Sequence, residues 1–374
     1  MLILLSFVFI AYAVCVFILN KGYNRIQNKS PVQHEASQSF SILIPFHNEE
    51  KHLPQLCESL SKLKYPTYLF ELIFIDDFST DQSVGIIKNF NFPDLFSVRV
   101  VSSVKKSAAP KKDALQIGIS QARFNWIVTT DADCVCQELW LKAISDFIET
   151  HHPKMICGPV LVGSNTDEIQ DLQQMENLSL QFMTRAAIGW KKPIMANGAN
   201  LIYRKDVFYE CGGFEGNLDI ASGDDIFLME KFRKNFPNAI RYLSDKNAIV
   251  RTHPVTTWKE VINQRIRWAS KTRKQKNNWA FLIGGLVTLI NFILVCCLFL
   301  IFIDKFPKQI FLVFFILKIS LDFWMIRRSA SFFELQINFF KFLILNVIYT
   351  FLQLFIFFKA LTGKYIWKDN QFKI

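Results

Sequence analysis

Two kinds of hydrophobic pattern divide the chain. Residues 2–19, LILLSFVFIAYAVCVFIL, and 279–303, WAFLIGGLVTLINFILVCCLFLIFI, contain no charged side chain. Each run suits a membrane-crossing helix of about 20 residues. Two more apolar segments follow, near 309–326 and 342–358. Between 20 and 278 the apolar runs are short and bounded by polar clusters. FSILIP (40–45), FELIFID (70–76), SVRVVSS (97–103) and NWIVTTD (125–131) predict buried parallel strands. Helical stretches lie between them, from Glu49 to Leu63, Asp81 to Asn89 and Pro110 to Arg123. Such alternation predicts an open α/β sheet, which binds ligands outside the carboxyl ends of its strands. FHNEE follows the first strand, DDFSTD ends the second and DAD ends the fourth.

After Ala143 the pattern loosens. Asp167 to Trp190 predicts a helix with Ile169, Leu172, Met175, Leu178 and Phe182 on one face, a pattern more often met in cores than against lipid. Residues 256–276 predict a basic amphipathic helix able to lie in a membrane interface. The expected organisation is an N-terminal transmembrane anchor (1–20), a linker (21–39) and an α/β domain (40–253). An interface helix (254–278), about three membrane segments (279–358) and a basic tail (359–374) complete it.

The first segment reads as a retained anchor, since no positive residue precedes it and no small-residue cleavage site ends it. Lys21, Arg25 and Lys29 follow it, which places the central domain in the cytoplasm by the positive-inside rule. RIRWASKTRKQK (265–276), with six positive and no negative residues, supports the same side. Arg327 and Arg328 point to the cytoplasm, and so do Lys359, Lys364 and Lys368, although one crossing separates the two groups. Either 329–341 lies in or re-enters the interface, or one end breaks the charge rule.

Charge and composition alter this picture little. The net charge of +11 is concentrated beside apolar segments, where anionic lipid attracts it. No nucleic-acid-binding motif accompanies it, so nucleic acid is not an expected partner. The eight cysteines are scattered, with Cys134 and Cys136 spaced CxC, which suits a reduced domain without structural zinc. Lys318 and Asp322, four apart in an apolar segment, can pair; ionisable groups in such segments are often functional.

Five stretches can carry chemistry. In VTTDADC, Asp131 and Asp133 point the same way if the strand continues, and two carboxylates favour a hard ion such as Mg or Mn. The plainer reading is a turn. In LIFIDDFSTDQS, Asp81 suits a helix cap, leaving Asp76 and Asp77 to accept from a nucleoside or to serve an ordinary Asp-rich turn. KKSAAPKKDALQIGI leads lysines into a helix N-terminus, a phosphate site or simply a solvated basic loop. SGDDIFLMEKF sets Asp224 beside Asp225 at a helix start, one more carboxylate than a cap requires. In NQRIRWASK, Gln264, Arg267 and Trp268 share a helix face, to grip phosphate or to anchor an interfacial helix.

Taken in this order, the motifs resemble the family 2 inverting glycosyltransferases of the GT-A (nucleotide-diphospho-sugar transferase, Rossmann-like) fold. SILIPFHNEE is similar to the family's first strand and nucleotide loop, IDDFSTD to its nucleoside loop and DAD to its metal-binding DxD. SGDDIFL falls at the base motif, with Asp-Asp where many relatives have Glu-Asp. QRIRW is similar to the QxxRW of membrane-embedded members. ANGANLIYRKDVFYECGGF (196–214) resembles the acceptor-side loop.

The resemblance implies Asp225 as general base and Asp77, with Asp76 as alternative, at the nucleoside. It implies Asp131 and Asp133 on the diphosphate through Mg or Mn, and Lys112 reaching the nucleotide. It implies Gln264 and Arg267 on the diphosphate, Trp268 beside sugar or acceptor, and Asp224 as the base's neighbour. The implied activity is transfer of a hexosyl or N-acetylhexosaminyl group from a nucleotide sugar, UDP by analogy, to a lipid or lipid-linked acceptor. The implied place is a bacterial inner membrane, at its cytoplasmic face. A processive polysaccharide synthase is the alternative, and a non-catalytic membrane scaffold with this fold is the alternative of another class.

Overall fold

The structure is a computed structural model that describes residues 1–27, 34–164, 167–220, 222–274, 277–362, 364–367 and 370–373. Of 270–274, 361–362, 364–367 and 370–373 it describes the backbone only. Lys29, Lys276 and Lys368 lie outside the described residues.

In chain order the elements are α1 (Leu2–Arg25), β1 (Phe40–Phe46), α2 (Leu53–Ser61), β2 (Phe70–Asp76), α3 (Ser83–Asn89) and β3 (Ser97–Ser102). Next come α4 (Pro110–Gln121), β4 (Trp126–Thr129), β5 (Cys134–Val135), α5 (Trp140–His151), β6 (Met155–Cys157) and β7 (Val160–Val162). Then follow α6 (Glu168–Gly189), β8 (Leu201–Arg204), α7 (Lys205–Glu210), α8 (Asp224–Asn235), β9 (Ile240–Tyr242) and β10 (Val250–Thr252). The last are α9 (Trp258–Lys274), α10 (Asn278–Phe302), α11 (Lys308–Phe332), α12 (Phe339–Thr362), β11 (Lys364–Trp367) and β12 (Asn370–Lys373). The four expected strands are present. The first expected helix starts later, at Leu53, because Pro54 suits a first turn, where its missing N–H is no loss.

The chain divides into two units, one of Ile26–Gly163 and Met195–His253, the other of Met1–Arg25, Ser164–Ile194 and Pro254–Ile374. The continuous domain expected over 40–253 is therefore interrupted. Helix α6 falls in the helical unit because its apolar face packs there: Phe182 stacks on Tyr23 of α1 with ring centroids 4.7 Å apart.

The α/β unit is built on a seven-stranded sheet of order β3-β2-β1-β4-β8-β6-β9. Strands β3, β2, β1 and β4 are parallel, and β8 reverses direction between β4 and β6. A smaller sheet, β5-β10-β7, brings Thr252 opposite Cys134. The central strands are buried on both faces, which is why they read as unbroken apolar runs. Helix α4 lies close on them at Gly118, where a Cβ would come within 2.5 Å of Ile75 Cδ1. At the amino ends of β1 and β2, buried Glu71 accepts from Ser41 Oγ at 2.6 Å and Arg99 Nη2 at 2.7 Å. That end holds the sheet together; the opposite end carries the candidate chemistry.

In the helical unit, α1, α10, α11 and α12 are each long and apolar enough to cross a membrane. Helices α1 and α6 meet at Gly22 and Gly189, where a Cβ on Gly189 would come within 2.0 Å of Gly22 O. Tyr23 Oη donates to Arg328 O at 3.1 Å, so Arg25 and Arg328 stand at the same end of the helices. The segment 329–341 is the end of α11, a turn with Glu334 at φ 59°, and the start of α12. Lys318 and Asp322 do pair, with Nζ and Oδ2 2.7 Å apart.

Candidate active site

Strand β4 stops at Thr129, so Asp131 and Asp133 are not brought together by strand alternation. They belong to a turn closed by Cys134 N donating to Asp131 O at 3.2 Å. The turn makes them neighbours all the same. Burial first, then the Asp131 and Glu49 carboxylates, push Asp133 up to about 6, although Thr252 Oγ1 donates to its Oδ2 at 3.1 Å.

Because this folded-state pKa is raised, proton binding to Asp133 favours the fold. That stabilisation is complete below about pH 4, the ordinary range of Asp, and is lost as pH rises through about 6. With divalent ions chelated, Asp133→Asn should therefore have a higher Tm than the wild type at pH 7.5, and the gap should close by pH 5. Equal Tm values at both pH values would show that the site does not strain this carboxylate.

Lysine enters the site from a position other than the expected one. Lys112 is fully buried, and its Nζ donates to Asn217 O at 2.7 Å and Ile220 O at 2.8 Å. It anchors the loop that leads into SGDD. Its neighbour Lys111 faces the carboxylates instead, because successive residues on a helix point about 100° apart. Lys111 Nζ lies 2.6 Å from Asp131 Oδ1 and 3.5 Å from Asp224 Oδ2. Burial alone would lower its pKa, but Asp131 and then Asp224 outweigh burial and hold the ammonium above the usual lysine range.

The doublet opens α8, and neither carboxylate is the cap. Gly223, at φ 87°, occupies that position, a conformation that suits glycine. Asp225 Oδ1 accepts from Ile226 N at 2.7 Å, and its Oδ2 accepts from Gly198 N at 3.3 Å. Gly198 is held in turn by Thr129 Oγ1, which donates to its carbonyl at 2.8 Å. A Cβ on Gly198 would stand 3.1 Å from Asp224 Oδ2 and 3.4 Å from Lys111 Nζ, so this loop packs directly on the charged group. Asp131, Asp224, Asp225 and Lys111 thus form one cluster.

Asp76 and Asp77 end β2. Asp76 Oδ1 accepts from Ser79 N at 2.9 Å and closes the turn, while Asp77 N donates to Phe46 O at 2.9 Å. Asp81, expected as a helix cap, sits one residue before the cap position, which Gln82 takes, and its Oδ1 accepts from Ser83 N at 3.0 Å. Sequence reasoning missed a stacked pair, His52 and His253, with ring centroids 5.2 Å apart; the backbone N–H of His253 donates to Asp133 O at 3.4 Å. Burial and then His52 lower the pKa of His253. Nothing in the spacing of two histidines 201 residues apart announces this pairing.

Gln264, Arg267 and Trp268 lie on α9, in the helical unit. There the buried Arg265 organises the motif. Its Nε donates to Glu176 Oε2 at 2.7 Å, its Nη1 reaches Gln264 Oε1, and its guanidinium lies 4.6 Å from the Trp268 ring centroid.

Asp131 and Asp133 supply oxygen donors, and their mutual repulsion would be relieved by a cation, so they fit a hard divalent ion. Among the described residues no group of three or more His, Cys, Asp or Glu forms a ligand set. The remaining ligands of such an ion would have to come with the substrate.

Residues 41–212 match the family described as glycosyl transferase family 2. Poly(ribitol-phosphate) beta-N-acetylglucosaminyltransferase TarS of Staphylococcus aureus is 29% identical over 207 residues, which are 55% of this chain and 34% of that protein. The match thus spans about a third of that relative's length. Poly-beta-1,6-N-acetyl-D-glucosamine synthase of Staphylococcus epidermidis is 25% identical over 259 residues, 68% of this chain and 59% of that protein. Among solved structures, the mannosyltransferase PcManGT from Pyrobaculum calidifontis, in complex with GDP-Man and Mn2+, aligns at a TM-score of 0.57. It is 13% identical and covers 93% of this chain and 99% of that one, a likeness of fold. The fold is of the GT-A type, a mixed α/β sheet accompanied by long apolar helices.

Proposed function

We propose that this chain, built on a family 2 glycosyltransferase domain, is a membrane-bound inverting enzyme that moves a sugar from a UDP-sugar to a lipid or lipid-linked acceptor at the cytoplasmic membrane face. The observation that carries the reading is the cluster at Lys111, which gathers the DxD carboxylate Asp131 and the doublet Asp224 and Asp225. N-acetylglucosamine is the sugar we favour, because it appears in the names of the two relatives described above. The four apolar helices support membrane residence.

In this reading Asp225 takes the acceptor hydroxyl's proton as the oxygen attacks the anomeric carbon. The bond to the diphosphate breaks on the opposite face, inverting that carbon. Lys111 stabilises the charge gathering on the departing diphosphate, a role that the resemblance of QRIRW to the QxxRW motif extends to Arg267. Asp77 holds the nucleoside, Gln264 assists Arg267, and Trp268 walls the sugar or acceptor. Mg or Mn held by Asp131 and Asp133, when bound, would add positive charge at the same diphosphate. Asp224 keeps Lys111 in place.

Membranes containing the protein, given labelled UDP-N-acetylglucosamine with and without a chelator, test this. A labelled lipid of fixed size, lost on chelation, is the expected product. A ladder of polymer would transfer the reading to a processive synthase, which the similarity to a polysaccharide synthase favours as the second choice. No transfer and no donor hydrolysis with any nucleotide sugar would overturn the enzymatic reading in favour of a scaffold.

A further inference from the structure

Phe78 has no part in the chemistry above, yet it stands in the middle of the loop between Asp77 and Ser79. Its backbone is left-handed, with φ 60°, and the residue is 55% exposed. Each feature is unfavourable alone. A bulky side chain is disfavoured at positive φ, where glycine is at ease. An exposed ring gains nothing from burial. Phe78 is the one phenylalanine, tyrosine or tryptophan among the described non-glycine residues with positive φ.

The loop that imposes this conformation is firmly framed. Asn48 Oδ1 accepts from Thr80 N at 2.8 Å, and Asn48 N donates to Ser79 Oγ at 3.0 Å. His47 Nδ1 donates to Asp77 O at 2.5 Å. Ser103 N, just past β3, donates to Asp76 O at 2.7 Å. The loops after β1 and β2 are thus tied together, at the carboxyl ends of parallel strands. Strain held in a rigid frame at the ligand end of a sheet marks a functional position.

We propose that Phe78 is the platform on which the donor's nucleobase stacks. The inference rests on the proposed function and deepens it: Asp77 and Phe78 together make the nucleoside site, one by accepting hydrogen bonds and the other by covering the base's π-face. Every base offers such a face, so the ring contributes affinity and leaves the choice of base to polar groups.

The test is titration of UDP into the full chain in detergent, with Tm recorded for each variant. Asn tolerates left-handed backbone but cannot stack. Phe78→Asn should therefore bind UDP about tenfold more weakly, the scale of one base–aromatic contact, with Tm unchanged or raised. Phe78→Trp should bind like the wild type. Unchanged UDP affinity in Phe78→Asn, with binding impaired in Asp77→Asn, overturns the stacking role alone. Failure of the wild type to bind any nucleoside diphosphate overturns the nucleotide site as well. Weaker binding with a lower Tm and no rescue by Trp marks Phe78 as a structural residue, and the inference falls.

Discussion

Asp225→Asn should lower the transfer rate by about 10²- to 10⁴-fold, the contribution of a positioned general base. The substitution keeps the shape of the side chain and one carbonyl oxygen to accept from Ile226 N or Gly198 N. It removes the ability to take a proton. UDP affinity should stay within a few-fold of the wild type, because the proposed donor contacts are made by Asp77, Asp131 and Lys111. Asp224→Asn should behave differently. It weakens one of two carboxylate partners of Lys111, so it should raise KM for the donor more than it lowers kcat. Single-turnover transfer alongside UDP titration separates the two. Near-normal turnover in Asp225→Asn would remove it from the base role, and an equal loss of UDP affinity in both variants would merge the doublet into one binding element.

The contrast within the doublet shows what the sequence could carry. The strands were legible because a parallel strand covered on both faces must be apolar throughout, as in β1 and β2. The ligand end followed from their direction. Which of two adjacent lysines faces the carboxylates was not legible, since it depends on where α4 begins and how it is turned. Lys111 and Lys112 differ by one position, yet one meets Asp131 and the other two carbonyl oxygens. The DAD turn defeated strand alternation because β4 ends two residues early. Strands of two to four residues, such as β5, β6 and β8, carry too little pattern to declare a direction. The apolar face of α6 is core at Leu172, Met175, Leu178 and Phe182, as expected, whereas Ile169 is only partly buried. An apolar stripe states that a partner exists, not which one, so its membership of the helical unit was hidden.

Asp322→Ala should destabilise the protein by about 3 kcal/mol or more, because it strands a buried ammonium. Lys318 Nζ is 2.7 Å from Asp322 Oδ2 and 3.2 Å from Asn346 Oδ1. Asn346 Nδ2 donates to Asp322 Oδ2 at 2.9 Å, and Tyr12 Oη donates to Oδ1. Three helices, α1, α11 and α12, are thus joined at one point, and all four side chains are buried. A satisfied buried network fixes register, whereas removal of one partner leaves a charge with no water to replace it. The double variant Lys318→Met with Asp322→Leu should recover most of the lost Tm, since it removes both charges together.

This network also bears on the choice between single transfer and polymer synthesis. A polar pair serving a sugar path would have to present donors and acceptors to that path. Here both charged groups are engaged with neighbouring helices. Thermal unfolding in detergent, followed by transfer assays on the surviving protein, distinguishes the roles. The structural role predicts a lower Tm for Asp322→Ala and normal turnover per folded molecule, with rescue in the double variant. A wild-type Tm combined with lost transfer would instead make the pair part of a functional path, and would move the reading toward the processive synthase.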